Sequence, residues 1–105
     1  MMPKNMGNLM KQAQKVQEQM QKMQEELGNR EVSAQAGGGM VEAVVNGRGD
    51  IVRLHLESEV VNPEDTEMLC DLIVAAVGQA QQRAQEMMQT EMATLTGGIN
   101  IPGLF

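Results

Sequence analysis

Four lysines, Lys4, Lys11, Lys15 and Lys22, are the residues of this chain best suited by type and spacing to hold a charged partner. With Met6 set at heptad position a, Met6, Ala13, Met20 and Leu27 occupy a while Leu9, Val16 and Met23 occupy d, so a 3,4 alternation persists for three heptads. Lys4 and Lys11 then fall at f and Lys15 and Lys22 at c, on the helix face turned away from the apolar seam. Ammonium groups so placed can meet a polyanion while the seam buries itself elsewhere. The competing reading is a solvated face, because Lys15 with Glu18 and Lys22 with Glu25 or Glu26 have the spacing of ordinary surface pairs. Lys4 and Lys11 have no acid one turn away and are the stronger candidates. Arg30, near the helix end, suits the helix dipole as well as it suits a phosphate.

No other set of residues points to chemistry. His55 has no second histidine or cysteine at ligand spacing, and Cys70 has no CxxC partner. Gly37 to Gly39 precedes Met40-Val41 rather than Lys-Ser/Thr, so it reads as a hairpin turn and not a phosphate loop. Arg48-Gly49-Asp50 is an RGD string in a turn, a coincidence in a chain without a secretion signal. With no nucleophile–base pair, metal cluster or cofactor loop, the expectation is a protein that is not an enzyme, takes no cofactor and has no small-molecule substrate.

The formal net charge is −6, which as an average disfavours phosphate binding. Its distribution reverses that reading at one end. Residues 1 to 30 carry Lys4, Lys11, Lys15, Lys22 and Arg30 against Glu18, Glu25 and Glu26, a net +2, whereas residues 63 to 105 carry Arg83 against six acids. One aromatic residue, Phe105, stands against 11 methionines, so the core relies on Met and aliphatic side chains. Methionines Met20, Met23, Met87, Met88 and Met92 at helical spacing suit either that core or an adaptable protein groove. A chain of 105 residues reads as a single domain spanning 1–105, one that a partner subunit would help to stabilise. The longest apolar run, Leu72 to Val77, is far below the roughly 20 residues that cross a bilayer. A soluble, cytoplasmic protein with no membrane partner is expected.

The elements that must position the lysines follow from periodicity. The first helix is predicted to start between Asn5 and Asn8 and to stop at Gly28-Asn29. Its e and g positions are mostly glutamine, which selects no partner by charge. The period then changes to two. Glu31–Ala36, Met40–Val45 and Ile51–Glu57 read as three antiparallel strands joined at Gly37–Gly39 and Asn46–Gly49, with Val52, Leu54 and Leu56 on one face and Arg53, His55 and Glu57 on the other. Asn62-Pro63-Glu64-Asp65 reads as the cap of a second helix that runs to Gly97-Gly98. Leu69, Leu72, Ile73, Ala76 and Val77 make its first half core, its second half partly exposed, and Gly78 marks close packing or a slight kink. Together with Val52, Leu54 and Leu56, these five are the residues expected in the core or at a dimer interface. Residues 97–105, GGINIPGLF, read as a flexible tail. The fold class is α+β.

This order of elements, with GNLMKQAQ and MQKMQEEL in the first helix, Val45-Asn46-Gly47 at the strand turn, Glu67-Met68-Leu69 with Asp71-Leu72 in the second helix, and a Gly/Pro tail, resembles the YbaB/EbfC family of bacterial nucleoid-associated proteins. The resemblance implies an intertwined homodimer joined through its central sheet and long helices, with projecting helical arms that grip duplex DNA. It implies a nucleoid location and no catalysis. Carried onto this sequence, it assigns DNA contact to Lys4, Lys11, Lys15, Lys22 and Arg83. Where relatives often have two adjacent basic residues, this chain has Gln82-Arg83. The arms hold no aromatic residue to stack on bases, which favours duplex over single-stranded partners. From a different class, an acidic protein-interaction adaptor with Met/Gln-rich helices fits the net charge.

Overall fold

The structure is a computed structural model and describes residues 5–98. Lys4 lies outside the described residues, as do residues 99–105 of the expected tail. Five principal elements follow in the expected order: helix α1 Asn5–Asn29, strands β1 Val32–Ala36, β2 Val41–Val45 and β3 Ile51–Leu56, and helix α2 Thr66–Gly98. The strands form one antiparallel sheet in the order β1-β2-β3. The body is α+β, and the molecule is a rod of 79 × 23 × 16 Å.

Turn chemistry fixes the meander. Gly37, Gly38 and Gly39 take φ of +64°, +68° and +93°, a run that side-chain-bearing residues rarely sustain, and Ala36 thereby pairs with Val41. Ala34, Ala43 and Leu54 line up across the sheet, as do Ala36, Val41 and Leu56. That face carries the core. Ala34, Val41, Ala43 and Val45 pack with Val60 against Ala76, Ala80 and Ala84 of α2. Alanines spaced by four make a shallow stripe, so the α2 backbone lies close over β1 and β2.

Several expectations are corrected here. Ala76 is buried and Leu69, Leu72, Ile73 and Val77 are half-buried as core residues, but Val74 in the same half is 71% exposed. The buried stripe continues through Ala80 and Ala84 into the second half, where Arg83 meets Ser33 of β1. Within one chain Val52 and Leu54 are exposed and Leu56 is half-buried against the core, since α2 leaves β3 largely uncovered; of the expected core or dimer-interface role, this removes only a single-chain core place for Val52 and Leu54. A Cβ built on Gly78 would meet nothing within 4 Å, so this glycine marks no close packing within the chain. Asp65, not Asn62, caps α2: its Oδ1 accepts from Met68 N at 3.2 Å. Asn62 is committed to its own turn, with Oδ1 accepting from Glu64 N at 3.0 Å. A short 3-10 turn at Ser58–Val60, which buries Val60, has no periodic signature in the sequence.

Helix α1 differs most from a packed element. Leu9 and Met10 are each 60% exposed, and Met6 and Val16 are also exposed. The seam sinks only at its end, through half-buried Met20 and Met23 to Leu27 at 2%. Within one chain, α1 is an arm rooted at Leu27.

Candidate nucleic-acid interface

The chain's cations divide into two populations by what surrounds them. Lys11, Lys15 and Lys22 are exposed on α1, and among the described residues none of them makes an ion pair or hydrogen bond. The i, i+3 and i, i+4 spacings to Glu18, Glu25 and Glu26 are present in sequence, yet the side chains stay apart. Such exposed pairs stabilise a helix by only about 0.2–0.5 kcal/mol, too little to hold two flexible chains together. Because α1 is a helix of 25 residues, its own backbone hydrogen bonds are internal and its lysine heads are left to water.

Each of the four arginines is engaged in the body. Arg53 on β3 reaches Glu31 through Nη2 at 2.6 Å and Nη1 at 3.3 Å, crossing β2 where Val44 is buried. This two-pronged contact holds the Glu31 carboxyl below its ordinary value and the Arg53 guanidinium above its own, chiefly through the hydrogen bonds themselves. Arg30 Nη1 donates to Glu91 Oε1 at 3.2 Å, tying the end of α1 to α2. Arg48 Nε lies 3.5 Å from Asp50, and its Nη2 donates to Asn29 Oδ1 at 3.3 Å. Arg83 Nη1 donates to the Ser33 carbonyl at 2.9 Å. His55 pairs with Glu57 at 3.1 Å on the exposed strand face.

The three described lysines are therefore on a different element from Arg83. Lys11, Lys15 and Lys22 share the arm, Lys4 is outside the described residues, and Arg83 sits over β1 with one nitrogen spent on a carbonyl. A guanidinium has five N–H donors, so others remain for a phosphate. Arg30, just past the end of α1, spends Nη1 on Glu91. Arg48, which the sequence shows only within a coincidental RGD string, fills the place of a basic residue at the end of α1 from the β2–β3 turn. The clue available was the lack of any basic residue in the last turn of α1.

Among the described residues, no group of three or more His, Cys, Asp or Glu side chains is placed to hold a metal ion. None of the described helices is long and apolar enough to cross a membrane. What the arrangement offers is a projecting rod with three unpaired lysines exposed on it.

Comparison with known proteins extends these observations. The profile of the YbaB/EbfC DNA-binding family matches residues 2–99. A nucleoid-associated protein of Pelotomaculum thermopropionicum is 53% identical over 105 residues, covering all of both chains. Another, from Thermoanaerobacter pseudethanolicus, is 54% identical over 101 residues, covering 96% of this chain and 91% of the relative. A crystal structure of an uncharacterized Helicobacter pylori protein superimposes with a TM-score of 0.69 at 20% identity, covering 91% of this chain and 98% of that one, and so shares the fold.

Proposed function

The chain belongs to the YbaB/EbfC DNA-binding family, and from that premise we propose that it is a non-catalytic nucleoid-associated protein that works as a homodimer and holds duplex DNA through the lysine face of α1. The observation that carries this reading is that Lys11, Lys15 and Lys22 stand exposed and unpaired on a projecting helix while the arginines are bound to the body. The heptad register of the sequence assigns Lys4 to the same face. Arg83, with one donor already used, adds a secondary contact. Binding of this kind works by releasing counterions from phosphates and reads little sequence. It suits a role in nucleoid organisation or gene regulation, in the cytoplasm at the nucleoid.

The homodimer is supported by what one chain leaves bare. Ile51, Val52 and Leu54 on β3 and Met68 and Val74 on α2 are exposed apolar side chains. A second copy laid against β3 and α2 buries them and gives two lysine arms. Neutral Gln12, Gln17, Gln19 and Gln24 beside the α1 seam oppose no such pairing.

The test is titration of labelled duplex at 50 and 200 mM salt beside a mass measurement of the oligomer. With about six to eight phosphates engaged per dimer, the reading predicts a log–log salt slope near −5 to −7. No binding at 50 mM with micromolar dimer sinks it. Capture of a protein partner by a chain that leaves duplex free, in high salt and after nuclease, would select the adaptor instead.

A further inference from the structure

The root of α1 is built like a joint, and the β2–β3 turn is its socket. A helix leaves its last carbonyl oxygens without internal donors, and those oxygens carry the negative end of the helix dipole. In α1 the last turn contains no basic residue to answer them. The β2–β3 turn, distant in sequence, answers them instead. Gly47 N donates to Gly28 O at 3.1 Å. The Arg48 guanidinium lies against Gly28 and donates to Asn29 Oδ1 at 3.3 Å, placing a cation at the dipole's negative end. Leu27, 2% exposed, plugs the same junction.

Only glycine fits at position 47. A Cβ there would overlap the Leu27 carbonyl oxygen and crowd the Gly28 backbone, groups that cannot swing aside as a side chain can. The turn that presents Gly47 is held rigid by Asn46, a buried amide whose Oδ1 accepts from both Arg48 N and Asp50 N at 3.0 Å. Its Nδ2 donates to Asp50 Oδ2 at 3.3 Å. On the turn's other side, Gln81 Nε2 of α2 donates to Gly49 O at 3.1 Å. One short turn thus grips α1 on one side and α2 on the other.

We propose that Asn46, Gly47 and Arg48 are positioning residues for the DNA-binding arm: the turn caps α1 from outside the helix and sets the direction in which its lysines project. This rests on the reading that the α1 lysines contact duplex. The lever makes small errors matter. A helix of 25 residues is about 37 Å long, so a tilt of about 10° at the root moves the tip about 6 Å, nearly two phosphate steps along one strand's axis.

The experiment separates arm direction from DNA affinity. In a Cys70→Ser background, spin labels at Gln14→Cys on α1 and Gln35→Cys on β1 report the arm-to-body distance in labelled chains diluted with unlabelled protein. Three variants grade the damage: Gly47→Ala intrudes on the helix end, Arg48→Ala removes the cation, and Arg48→Lys restores a charge. The proposal predicts a broadened or displaced distance distribution in Gly47→Ala, a smaller change in Arg48→Ala and partial recovery in Arg48→Lys. Duplex affinity at 50 mM salt should follow the same order, with a loss of about tenfold for Gly47→Ala. An unchanged distribution in both Gly47→Ala and Arg48→Ala overturns the proposal. A displaced arm with unchanged duplex affinity also overturns it as a positioning device. If Gly47→Ala does not fold, the Arg48 pair decides alone. Parallel Lys11→Gln, Lys15→Gln, Lys22→Gln protein separates the two ideas: full duplex binding by that variant refutes the lysine reading, whereas the label distances still judge the joint.

Discussion

The arm and the body of this molecule hold their cations in opposite states. On α1, three described lysines face water with no partner, although acids lie three or four residues from Lys15 and Lys22. Around the sheet, Arg30, Arg48 and Arg53 each meet a carboxylate and Arg83 meets a carbonyl. The difference teaches that availability depends on what the backbone leaves within reach. A lone helix satisfies itself and presents only neighbours on its own surface, so weak pairs stay open. A folded sheet brings residues as distant as Glu31 and Arg53 together at fixed separation, and planar guanidinium groups fit such forks better than ammonium groups do. A net charge of −6 therefore coexists with an arm whose three described lysines, balanced in number by Glu18, Glu25 and Glu26, are left unpaired.

Charge reversal is the harshest way to break this contrast. Lys11→Glu, Lys15→Glu, Lys22→Glu protein should lose at least about a hundredfold in duplex affinity at 50 mM salt, while Arg53→Gln should stay within about twofold, measured by fluorescence anisotropy. Equal losses would erase the distinction between arm and body.

Truncating leucines probes packing along the same arm. Leu27→Ala should cost about 2–5 kcal/mol in urea unfolding, as expected for a buried leucine. Leu9→Ala, at a 60% exposed site, should cost no more than about 0.5 kcal/mol if a single chain is all that surrounds it. A larger, concentration-dependent Leu9 effect would reveal a second copy lying on the seam.

A smaller effect is expected from enlarging alanines. Ala80→Leu intrudes on the stripe against the sheet and should destabilise by about 1–3 kcal/mol, whereas Ala13→Leu on the exposed arm should be near neutral.

The smallest effect concerns pH. Glu31 is held below its ordinary value of 4.5 by Arg53, so the folded state binds its proton more weakly than the unfolded chain does. The contribution is full above pH 4.5 and fades as pH falls through the depressed value. Both groups are solvent-exposed, so Glu31→Gln should flatten the acid limb of the stability curve only slightly, and high salt should shrink the difference further.

The fold's outline was readable because hydrophobic period and glycine punctuation agree. The change from a 3.5-residue to a two-residue period at Gly28, and the glycine run after Ala36, place α1, β1, β2 and β3 within about a residue of their bounds. Less legible was anything decided by tertiary geometry. Ala76, Ala80 and Ala84 look unremarkable beside Leu69 or Val74, yet small size is what lets α2 sit on the sheet. Val52 and Leu54 alternate as core residues should, but α2 crosses β1 and β2 and misses β3. Asn62 and Asp65 are both good caps, and only the turn made by Asn62 selects Asp65. At the candidate site, the heptad register put the lysines on one face of a helix, and α1 is helical over Lys11, Lys15 and Lys22. Arg48 at the arm's root could not be found by local pattern, because its partners are Gly28 and Asn29, which precede it by a helix-to-turn crossing of the whole first hairpin.

The most direct test of the account is the salt slope of duplex binding for the wild type and for Lys11→Gln, Lys15→Gln, Lys22→Gln protein, measured from 50 to 200 mM with folding checked by circular dichroism. Loss of three phosphate contacts on each arm should flatten the slope by about 2.7 per arm, with the same change on every duplex sequence. An unaltered slope would show that the free lysines of α1 are not what touches DNA.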